Sequence, residues 1–390
     1  MKKFNLLIPM AGRGQRFIEK GYKVPKQLLH VRDKQLIDIS LSSVDYSDCN
    51  LIFVVRDDQV TNFQIDKILE NKYGEDIKLV VTDGLTDGSV CSCLLAEQYI
   101  DNELPLIIHT LDVQFFPVLD PNSLFLKNED GTLLTFKSNS SNYSYVLTDD
   151  DGLAVKTAEK KVISSNACVG IYAFLKGSDF CNFARKMIGS NIRTNGEFYI
   201  SPLYNLLIDA GLKITTRTVD KMHIFGTPKE FQFYKNNVVK KLGEKPIALC
   251  CDHSGFIAKE NFKSILEKAG IPFIDFGTKV RNDCDYTYYI EQAVSSIRDK
   301  TCDFAFSFCR TGQGVNMCAN KFVDIRSALI YDEFSAEMSI RHNCANFFSF
   351  PERIFENKIQ CINILNILLK NTFDGGRHQI RVQGLEYEGF

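Results

Sequence analysis

A cysteine ahead of a glycine-rich turn is the arrangement in this sequence that most clearly could do chemistry. Cys309 ends an apolar, strand-like run and precedes Thr311, Gly312 and Gly314. Where such a turn opens a helix, free backbone N–H groups can stabilise an oxyanion, and the helix start favours the thiolate form of a cysteine. We therefore predict that Cys309 acts as a base.

A second polar pair follows a different strand. Asp252 and His253 come directly after the apolar run Ile247–Cys251. Ligands of parallel α/β sheets gather at the carboxyl ends of the strands. We expect Asp252 and His253 to share that edge with Cys309.

A third group of residues lies near the start of the chain. The apolar run Asn5–Pro9 leads into Gly12 and Gly14, and Arg16 and Lys26 follow. Two glycines just past a strand let backbone N–H groups approach an anion, and the two cations add positive charge to the same loop. The loop lacks the Gly-Lys-Ser/Thr ending of a Walker P-loop and the third glycine of a dinucleotide fingerprint. The pattern predicts a phosphate-binding loop and argues against a dehydrogenase.

The elements that must position these residues alternate between strand and helix along the whole chain, which predicts an α/β protein. Further strands are predicted at Leu51–Val55, Ile77–Thr82 and Leu106–His109, and a helix at Val90–Ile100. After a polar break around Lys240 the pattern restarts. We predict two Rossmann-like three-layer domains with mostly parallel sheets, spanning residues 1–240 and 241–390.

Composition limits the class of protein. The 390 residues suit two domains, and a formal net charge of -2 argues against nucleic-acid and membrane partners. No apolar run is long enough to cross a bilayer and no signal peptide precedes the first strand, so we expect a cytoplasmic protein. The 13 cysteines show no paired Cys-x-x-Cys spacing. We interpret all except Cys309 as reduced thiols in the cores, without a chemical role.

Several strings in the C-terminal part resemble ribose-5-phosphate isomerase type B and its galactose-6-phosphate isomerase relatives. The motifs that carry the resemblance are Asp252-His253 with Gly255, Asp285-Tyr286, Cys309-x-Thr311-Gly-x-Gly314, His342-Asn343-x-Ala-Asn346 and Gly375-Gly-Arg377-His. The resemblance covers almost all of Lys245–Gly384 and implies the type B isomerase fold. It also implies aldose–ketose isomerisation of a phosphosugar through an enediolate, without a metal or other cofactor.

The same resemblance implies a role for each of these residues. Cys309 would take the proton next to the carbonyl, and Thr311 would move the hydroxyl proton. His342 would open the sugar ring, and Asp252 would contact a ring hydroxyl. The residues that would bind the phosphosugar and its enediolate are His253, Tyr286, Gly312, Gly314, Asn343, Arg377 and Arg381. Of these, His253, Arg377 and Arg381 would form the clamp that holds the phosphate. His378 is interpreted as a helix-end or surface histidine.

Two further points concern this isomerase resemblance. The family builds each site across two subunits, which implies a homodimer through the C-terminal domain. Arg310 replaces the glycine that the family generally has between the cysteine and the threonine. A side chain there could crowd the oxyanion loop or contact a differently shaped or more anionic substrate.

The N-terminal part resembles the sugar-1-phosphate nucleotidyltransferase family. The motifs, in chain order, are Gly12-x-Gly-x-Arg16-Phe17, Pro25-Lys26, Gly84–Ser89, Leu111-Asp112, Glu159-Lys160, Glu197–Asn205 and Gly226-Thr-Pro228. The resemblance implies the nucleotidyltransferase fold and Mg²⁺-dependent transfer of a nucleotidyl group from a nucleoside triphosphate to a phosphosugar, with release of pyrophosphate.

This second resemblance also implies site residues. Those that would bind the nucleotide are Gly12, Gly14, Arg16, Lys26, Gly88 and Ser89, with Arg16 and Lys26 acting on the phosphates. Asp112 would hold Mg²⁺, and Glu159 and Lys160 would bind the phosphosugar.

One departure concerns the metal. The family usually has a second metal aspartate just before the Gly226 segment, where this chain reads His223-Ile-Phe225. Either Asp220 substitutes for it, or Asp112 acts alone.

Two hypotheses for the whole chain follow. In the first, a bifunctional enzyme supplies an activated sugar for capsule or other surface polysaccharide. In the second, only the nucleotidyltransferase is active, and the C-terminal domain serves for dimerisation or phosphosugar sensing. The sequence specifies neither the nucleotide base nor the sugar.

Overall fold

The computed structural model of the protein describes residues 2–125 and 128–385. Its chain forms two compact units, Met1–Gln232 and Phe233–Phe390. The segment 233–240, which the sequence pattern placed in the first domain, therefore belongs to the second unit. Two contacts explain this assignment. Asn237 Oδ1 accepts a hydrogen bond of 2.7 Å from Arg326, and Lys240 Nζ lies 3.4 Å from Asp303 Oδ1.

The described residues of the first unit form thirteen strands and nine α-helices, the last of which ends at Phe233, the first residue of the second unit. The strands are β1 Phe4–Pro9, β2 His30–Val31, β3 Lys34–Gln35, β4 Cys49–Arg56, β5 Lys78–Thr82, β6 Leu106–His109, β7 Val113–Phe116, β8 Gly131–Lys137, β9 Tyr145–Thr148, β10 Ala154–Ala158, β11 Asn166–Phe174, β12 Ile214–Thr218 and β13 Lys221–Ile224. The helices are α1 Gln15–Glu19, α2 Leu36–Leu41, α3 Asp57–Phe63, α4 Ile65–Tyr73, α5 Ser89–Leu94, α6 Glu97–Ile100, α7 Gly177–Gly189, α8 Ile200–Asp209 and α9 Pro228–Phe233.

A nine-stranded sheet forms the centre of this unit. Strands β6, β1, β4 and β5 are neighbours in that order and run parallel, whereas β11 joins β6 in the antiparallel direction. Alternate residues of β1 enter two different cores, with Leu6 and Ile8 on one face of the sheet and Leu7 on the other. Because a strand alternates its side chains, both faces are apolar and both are covered, which gives three layers.

The second unit contains a five-stranded sheet. Its strands are β14 Ile247–Cys251, β15 Phe273–Asp275, β16 Phe304–Cys309, β17 Ser327–Leu329 and β18 Phe347–Pro351. Its helices are α10 Phe256–Lys268, α11 Tyr286–Arg298, α12 Gln313–Ala319, α13 Glu333–Arg341, α14 Lys358–Lys370 and α15 Arg377–Gln383. The strand order is β15-β14-β16-β18-β17, and every neighbouring pair is parallel. Leu249 and Cys250 face opposite cores, so this unit also has three layers.

These arrangements confirm the predicted α/β class. The predicted strands are present in β1, β4, β5, β6, β14 and β16, while the predicted helix Val90–Ile100 is divided into α5 and α6. The parallel part of the first sheet is the part that carries the phosphate loop. Among the described residues, no helix has the length and apolar character needed to span a membrane. All 13 cysteines are free thiols.

Candidate active sites

The phosphate loop of the first unit opens onto a cavity at the carboxyl ends of β1 and β6. The cavity has a volume of about 200 Å³. Its lining includes Gly12, Arg13, Gly14, Pro25, Lys26, Arg56, Gln59 and Asp112. The structure therefore brings the predicted loop together with Lys26 and Asp112.

The loop keeps its shape through its glycines and through two side chains, those of Arg56 at the end of β4 and Gln59 in α3. Gly14 has a left-handed backbone, with φ of 64°, where it starts α1. A Cβ on Gly12 would meet no protein atom within 4 Å, so the space beside it is open to a ligand. Arg56 donates hydrogen bonds of 3.0 and 2.6 Å to the carbonyls of Ala11 and Gly12, and Gln59 donates one of 3.2 Å to the loop backbone. The sequence reading missed Arg56, which ends the apolar strand β4, and Gln59, which lies in α3 directly after it.

Lys26 and Asp112 form an ion pair within this cavity. The Lys26 side chain is 18% exposed and that of Asp112 is 46% exposed. Burial lowers the pKa of Lys26 to about 8; the Arg16 guanidinium adds a smaller lowering effect, and the Glu230 carboxylate acts in the opposite direction. Arg16 and Glu230 thus lie within electrostatic range of Lys26. Charged groups of both signs face one cavity, which suits charge neutralisation at a phosphate.

Asp112 lies beside the segment where the resemblance expects a second metal aspartate. The Phe225 N–H donates a hydrogen bond of 3.0 Å to the Asp112 carbonyl, and a Cβ on Gly226 would lie 3.3 Å from the Asp112 carboxylate. Asp220 lies at the opposite end of the two-stranded antiparallel sheet that β7 and β13 form. The length of that ladder separates it from Asp112 by roughly 15 Å. Asp220 therefore does not substitute for the second aspartate.

The Asp112 carboxylate is the group in this cavity that could bind Mg²⁺. This ion is commonly held by one or two carboxylates together with substrate phosphates, so the half-exposed Asp112 carboxylate fits it. Across residues 2–125 and 128–385, no three His, Cys, Asp or Glu side chains form a group that could hold a metal ion.

Gly88 and Ser89 start α5 against a neighbouring segment. Gly88 has φ of 129°, and a Cβ there would lie 2.6 Å from the Phe198 backbone, so a side chain does not fit. Ser89 Oγ donates a hydrogen bond of 3.4 Å to the Phe198 carbonyl. The Arg193 guanidinium lies over the Phe198 ring at 4.1 Å and pairs with Asp87 at 2.9 Å. The loop of Gly88 and Ser89, predicted to bind the nucleotide, is therefore fixed against the segment before α8.

Glu159 and Lys160 lie in a segment that contacts Tyr143 and Tyr199. The Lys160 N–H donates to the Tyr143 carbonyl at 3.1 Å, and Lys160 Nζ donates to the Tyr199 hydroxyl at 3.1 Å. Burial raises the pKa of Glu159. Burial also raises the pKa of Tyr143, and the nearby Glu230 carboxylate adds to that shift. The sequence analysis missed Tyr143 and Glu230; the Glu230 carboxylate lies within electrostatic range of both Tyr143 and Lys26.

In the second unit, Cys309 ends β16 at the carboxyl edge of the sheet and is 5% exposed. The Gly312 N–H donates a hydrogen bond of 3.1 Å to Cys309 Sγ. Gly312 has φ of 73°, and a Cβ there would lie 2.5 Å from the Leu329 side chain. The Gly312 amide therefore faces the thiol, whereas the resemblance placed an enediolate oxygen there. Thr311 is exposed, and its hydroxyl accepts a hydrogen bond of 3.3 Å from Gln313 N–H.

The Asp252 turn packs directly on the strand that carries Cys309. Asp252 is buried, and its Oδ1 accepts hydrogen bonds from Gly255 N–H at 2.8 Å and from Ser254 Oγ at 3.0 Å. A Cβ on Gly255 would lie 2.0 Å from the Phe308 carbonyl oxygen, so only glycine allows this close approach. The expectation that Asp252 and Cys309 share an edge matches this packing.

His253, Tyr286 and Gly314 lie at the same edge. A Cβ on Gly314 would lie 3.1 Å from the Tyr286 hydroxyl, which places that hydroxyl beside the start of α12. His253 Nδ1 lies 3.3 Å from both the Cys284 N–H and the Asp283 carboxylate. Asp252, His253, Tyr286, Cys309, Thr311, Gly312 and Gly314 together form the carboxyl-edge group.

His342, Asn343, Arg377 and Arg381 form a second set, the amino-edge group. Helix α13 runs back from the carboxyl end of β17 and ends at Arg341, just before β18 begins. The Asp374 N–H donates a hydrogen bond of 2.9 Å to the Arg341 carbonyl, which joins the start of α15 to this edge. The strand between the two edges is roughly 17 Å long.

The two groups do not meet within one chain. Within the described part of the chain, no hydrogen bond, ion pair or ring contact joins the amino-edge group to the carboxyl-edge group. The predicted phosphate clamp of His253, Arg377 and Arg381 is therefore divided between opposite edges of the sheet.

His378 belongs with the amino-edge group. Its ring stacks on the His342 ring, with centroids 4.0 Å apart and an angle of 13°. Burial lowers the pKa of His378 to about 4, and its electrostatic interactions with His342, Arg377 and Arg381 act in the same direction. Asp374 lies 3.9 Å from His342 Nε2. The interpretation of His378 as a helix-end or surface histidine missed this contact, which depends on a turn that the sequence alone does not orient.

Comparison with known proteins decides the family of the second unit. A family model described as ribose/galactose isomerase matches residues 247–385. Ribose-5-phosphate isomerase B of Escherichia coli strain K12 is 34% identical over 141 residues, which are 36% of this chain and 94% of that protein. A putative sugar phosphate isomerase of Bacillus subtilis strain 168 is 32% identical over 141 residues, 35% of this chain and 91% of that protein. The C-terminal part of this chain belongs to the ribose/galactose isomerase family.

Arg310 is where the isomerase unit departs from the expected glycine. Its side chain is exposed, between the buried Cys309 and the tightly packed Gly312. Within the described residues it makes no hydrogen bond or ion pair. The Arg310 side chain therefore does not fill the turn of this isomerase unit.

The N-terminal unit is similar to a solved structure from another family of proteins. A nucleoside-diphosphate-sugar pyrophosphorylase from Vibrio cholerae RC9 is 26% identical, with a TM-score of 0.52, and the match covers 59% of this chain and 99% of that one. The expected fusion of a nucleotidyltransferase-like unit with a unit of the isomerase family is confirmed.

Proposed function

We propose that the N-terminal unit transfers a nucleotidyl group from a nucleoside triphosphate to a phosphosugar and releases pyrophosphate. The observation that carries this proposal is the Lys26–Asp112 pair in the cavity beside the glycine loop. The likeness to a nucleoside-diphosphate-sugar pyrophosphorylase supports the reaction class.

In this reaction an oxygen of the acceptor phosphate attacks the α-phosphorus, and the bond to the pyrophosphate oxygen breaks. The protein neutralises charge and positions the reactants. The amides at Gly12 and Gly14 and the Arg16 guanidinium hold the triphosphate, and Lys26 donates to the α-phosphate. Asp112 would hold Mg²⁺, which supplies additional positive charge at the transferring phosphate. Lys26 and Asp112 exchange their mutual contact for these new partners.

We infer that the C-terminal unit interconverts an aldose phosphate and a ketose phosphate. The buried Cys309 thiolate, beside the Gly312 N–H, takes the proton from the carbon next to the carbonyl and returns it to the neighbouring carbon. Thr311 moves the hydroxyl proton between the two oxygens, and the Tyr286 hydroxyl beside Gly314 contacts the substrate. Membership of the ribose/galactose isomerase family supports this chemistry.

We further propose a homodimer through the C-terminal unit. The carboxyl-edge and amino-edge groups lie at opposite ends of the same sheet, so one chain does not complete the site. A two-fold dimer repeats each contact twice, and can bring the amino edge of each copy to the carboxyl edge of the other. His342 would then assist ring opening beside Cys309 of the other copy, and Arg377 and Arg381 would hold the phosphate.

The fusion supports a common purpose for the two units. Both act on phosphosugars in this proposal, and a bifunctional enzyme would supply an activated sugar for a surface polysaccharide. The alternative is a C-terminal unit that only dimerises or senses a phosphosugar. The observation that favours this alternative is Arg310, which stands where the family generally has glycine.

An experiment on the full chain separates these possibilities. Pyrophosphate release is measured with a panel of triphosphates and phosphosugars, and isomerisation is measured as exchange of the substrate C2 hydrogen with deuterated water. Cys309→Ala should abolish the exchange but leave phosphosugar binding nearly intact, whereas Arg377→Ala should weaken binding first. Cys302→Ala, a buried cysteine just before the other end of β16, is the matched control. A wild-type protein that binds a phosphosugar without any exchange would support the sensor instead.

A further inference from the structure

The residue before Asp112 has an unusual backbone conformation. Leu111 has a positive φ of 59°, in the left-handed region that residues with a side chain rarely adopt. Its side chain is 4% exposed and packs in the core of the sheet, which explains why leucine is useful there despite the backbone cost. Something must hold the Leu111 backbone in this state.

The imidazole of His109 makes the contact that does so. His109 ends β6 and is fully buried. Its Nδ1 accepts a hydrogen bond of 3.1 Å from the Leu111 N–H, and its Nε2 lies 3.1 Å from the Ser40 carbonyl, to which it donates. Burial lowers the pKa of His109 to about 4, so the ring is neutral and can accept at one nitrogen while donating from the other.

The neighbours of Leu111 are held independently. The Ser40 hydroxyl donates a hydrogen bond of 2.5 Å to the Val113 carbonyl, and the Phe225 N–H donates to the Asp112 carbonyl at 3.0 Å. Both contacts fix the chain after Leu111. The His109 contact fixes the Leu111 amide itself, and with it the direction in which the chain enters Asp112.

We propose that His109 is a positioning residue, whose Nδ1 holds left-handed Leu111 so that the Asp112 carboxylate is aimed at the Lys26 cavity and binds a divalent cation there. The identity of the ligand rests on the proposed nucleotidyl transfer. The conformation of Leu111 and its bond to His109 do not.

The test measures cation binding directly, so that it does not depend on turnover. Mn²⁺ binding to the full chain is followed by electron paramagnetic resonance, in the presence of a non-hydrolysable nucleoside triphosphate analogue. H109F keeps the ring volume but removes the acceptor, and should weaken Mn²⁺ binding by about tenfold, the usual scale for a residue that orients a metal ligand. H109N keeps a side-chain acceptor for the amide two residues on, and should retain affinity within about threefold.

A glycine substitution tests the backbone step. Glycine adopts a positive φ without the steric cost of a side chain, so H109F/L111G should bind Mn²⁺ as L111G does. A role for His109 in core stability alone predicts no such rescue. C181A is the control for core stability: Cys181 is fully buried in α7 and does not line the cavity, so its loss should lower the melting temperature without changing Mn²⁺ affinity.

Each outcome decides between the two ideas. If wild-type protein does not bind Mn²⁺ with the analogue, the proposed function fails, whatever the variants do. If wild type binds and H109F binds equally well, or if H109F and H109N lose the same affinity, the role of His109 is overturned. If H109F does not fold, as circular dichroism would show, H109N decides alone, and a tenfold loss in that variant contradicts the proposal.

Discussion

The two units place their candidate site residues in opposite ways. In the N-terminal unit, the glycine loop, Lys26 and Asp112 come from distant parts of the chain and lie around one cavity. In the isomerase unit, Cys309 and His342 lie at opposite edges of one sheet, separated by the length of β16. The first site is assembled within one chain, and the second is divided.

The difference follows from what each unit adds to its sheet. The N-terminal unit adds the two-stranded β7–β13 sheet and α9. These elements return the chain to the edge where the glycine loop lies. In the isomerase unit, the helices follow parallel strands and run back along the sheet. The C-terminal end of α13 and the start of α15 therefore lie at the amino edge. We therefore expect the first activity to be independent of association and the second to require it.

The largest effect is expected from Asp112→Ala. It removes the carboxylate that would hold the metal at the transferring phosphate, and should lower pyrophosphate release by about 10³-fold or more. Isomerisation by the same protein should not change, because the isomerase unit has its own site. Coupled pyrophosphate detection and deuterium exchange measure the two activities in one preparation.

Asp220→Ala is the matched control for this variant, since Asp220 and Asp112 lie at opposite ends of the two-stranded β7–β13 sheet. It should change pyrophosphate release by less than about threefold. Full activity of the Asp112 variant, or activity that EDTA leaves unchanged, would show that the N-terminal site does not work in this way.

The divided site makes a prediction about mixtures. Cys309→Ala and His342→Ala should each be nearly inactive as isomerases. When the two are mixed and allowed to exchange subunits, half of the dimers contain one intact Cys309 with one intact His342 at a shared site. Because each such dimer has one working site of two, the mixture should recover about a quarter of wild-type isomerisation.

The same mixture should show no change in pyrophosphate release. Dilution of the wild-type protein should lower the specific activity of isomerisation but not of nucleotidyl transfer. A monomer by sedimentation that still isomerises, or a mixture that recovers nothing, would contradict the shared site.

Much of this comparison could be read from the sequence. Cys309, Asp252 and the glycine loop each follow an apolar run, and polar residues at strand ends are visible as a local pattern. What could not be read is long-range register. Asp220 is close to the Gly226 segment in sequence, yet the pairing of β13 with β7 carries it away from Asp112.

Other residues were missed because their role depends on packing. Arg56 braces the phosphate loop from a neighbouring strand, and His378 stacks on His342 across a turn. Neither contact has a sequence spacing that predicts it. The division of the phosphate clamp was implied by the alternation of strand and helix, since a helix that follows one parallel strand ends at the opposite edge. Applying that rule to α13 places His342 away from Cys309.

A pH dependence tests the N-terminal cavity. Burial lowers the pKa of Lys26 to about 8, so its ammonium loses the proton as the pH rises through that value. If Lys26 must be charged to act on the α-phosphate, kcat/KM for the triphosphate should fall by about tenfold per pH unit above pH 8. The sign is opposite for stability: the unfolded lysine titrates near pH 10.4, so this group favours folding more as the pH rises between these values.

Lys26→Arg separates charge from titration. Its guanidinium stays protonated, so the alkaline fall should move above pH 10, with a lower maximum because the fork does not match a point charge. Lys229→Gln, an exposed lysine of α9, should leave the profile unchanged. A fall near pH 8 that persists in Lys26→Arg would assign the titration to another group.

The smallest effect is expected at Arg310. Its side chain is exposed and makes no hydrogen bond within the described residues, so Arg310→Gly should change the rate of C2 hydrogen exchange by less than about threefold. Gly312→Ala in the same turn should reduce the exchange by at least about tenfold, because its φ of 73° and the nearby Leu329 side chain leave no place for a Cβ.

The result for Arg310 also decides how the two units compare. If Arg310→Gly exchanges at the wild-type rate, the departure from glycine is neutral and both units of the chain are working enzymes. If Arg310→Gly gains about tenfold or more, the arginine obstructs the enediolate site, since truncating an exposed side chain that makes no hydrogen bond or ion pair within the described residues would not otherwise accelerate proton transfer on this scale. In that case the wild-type isomerase unit is held back by one residue, and phosphosugar sensing beside an active nucleotidyltransferase becomes the better account.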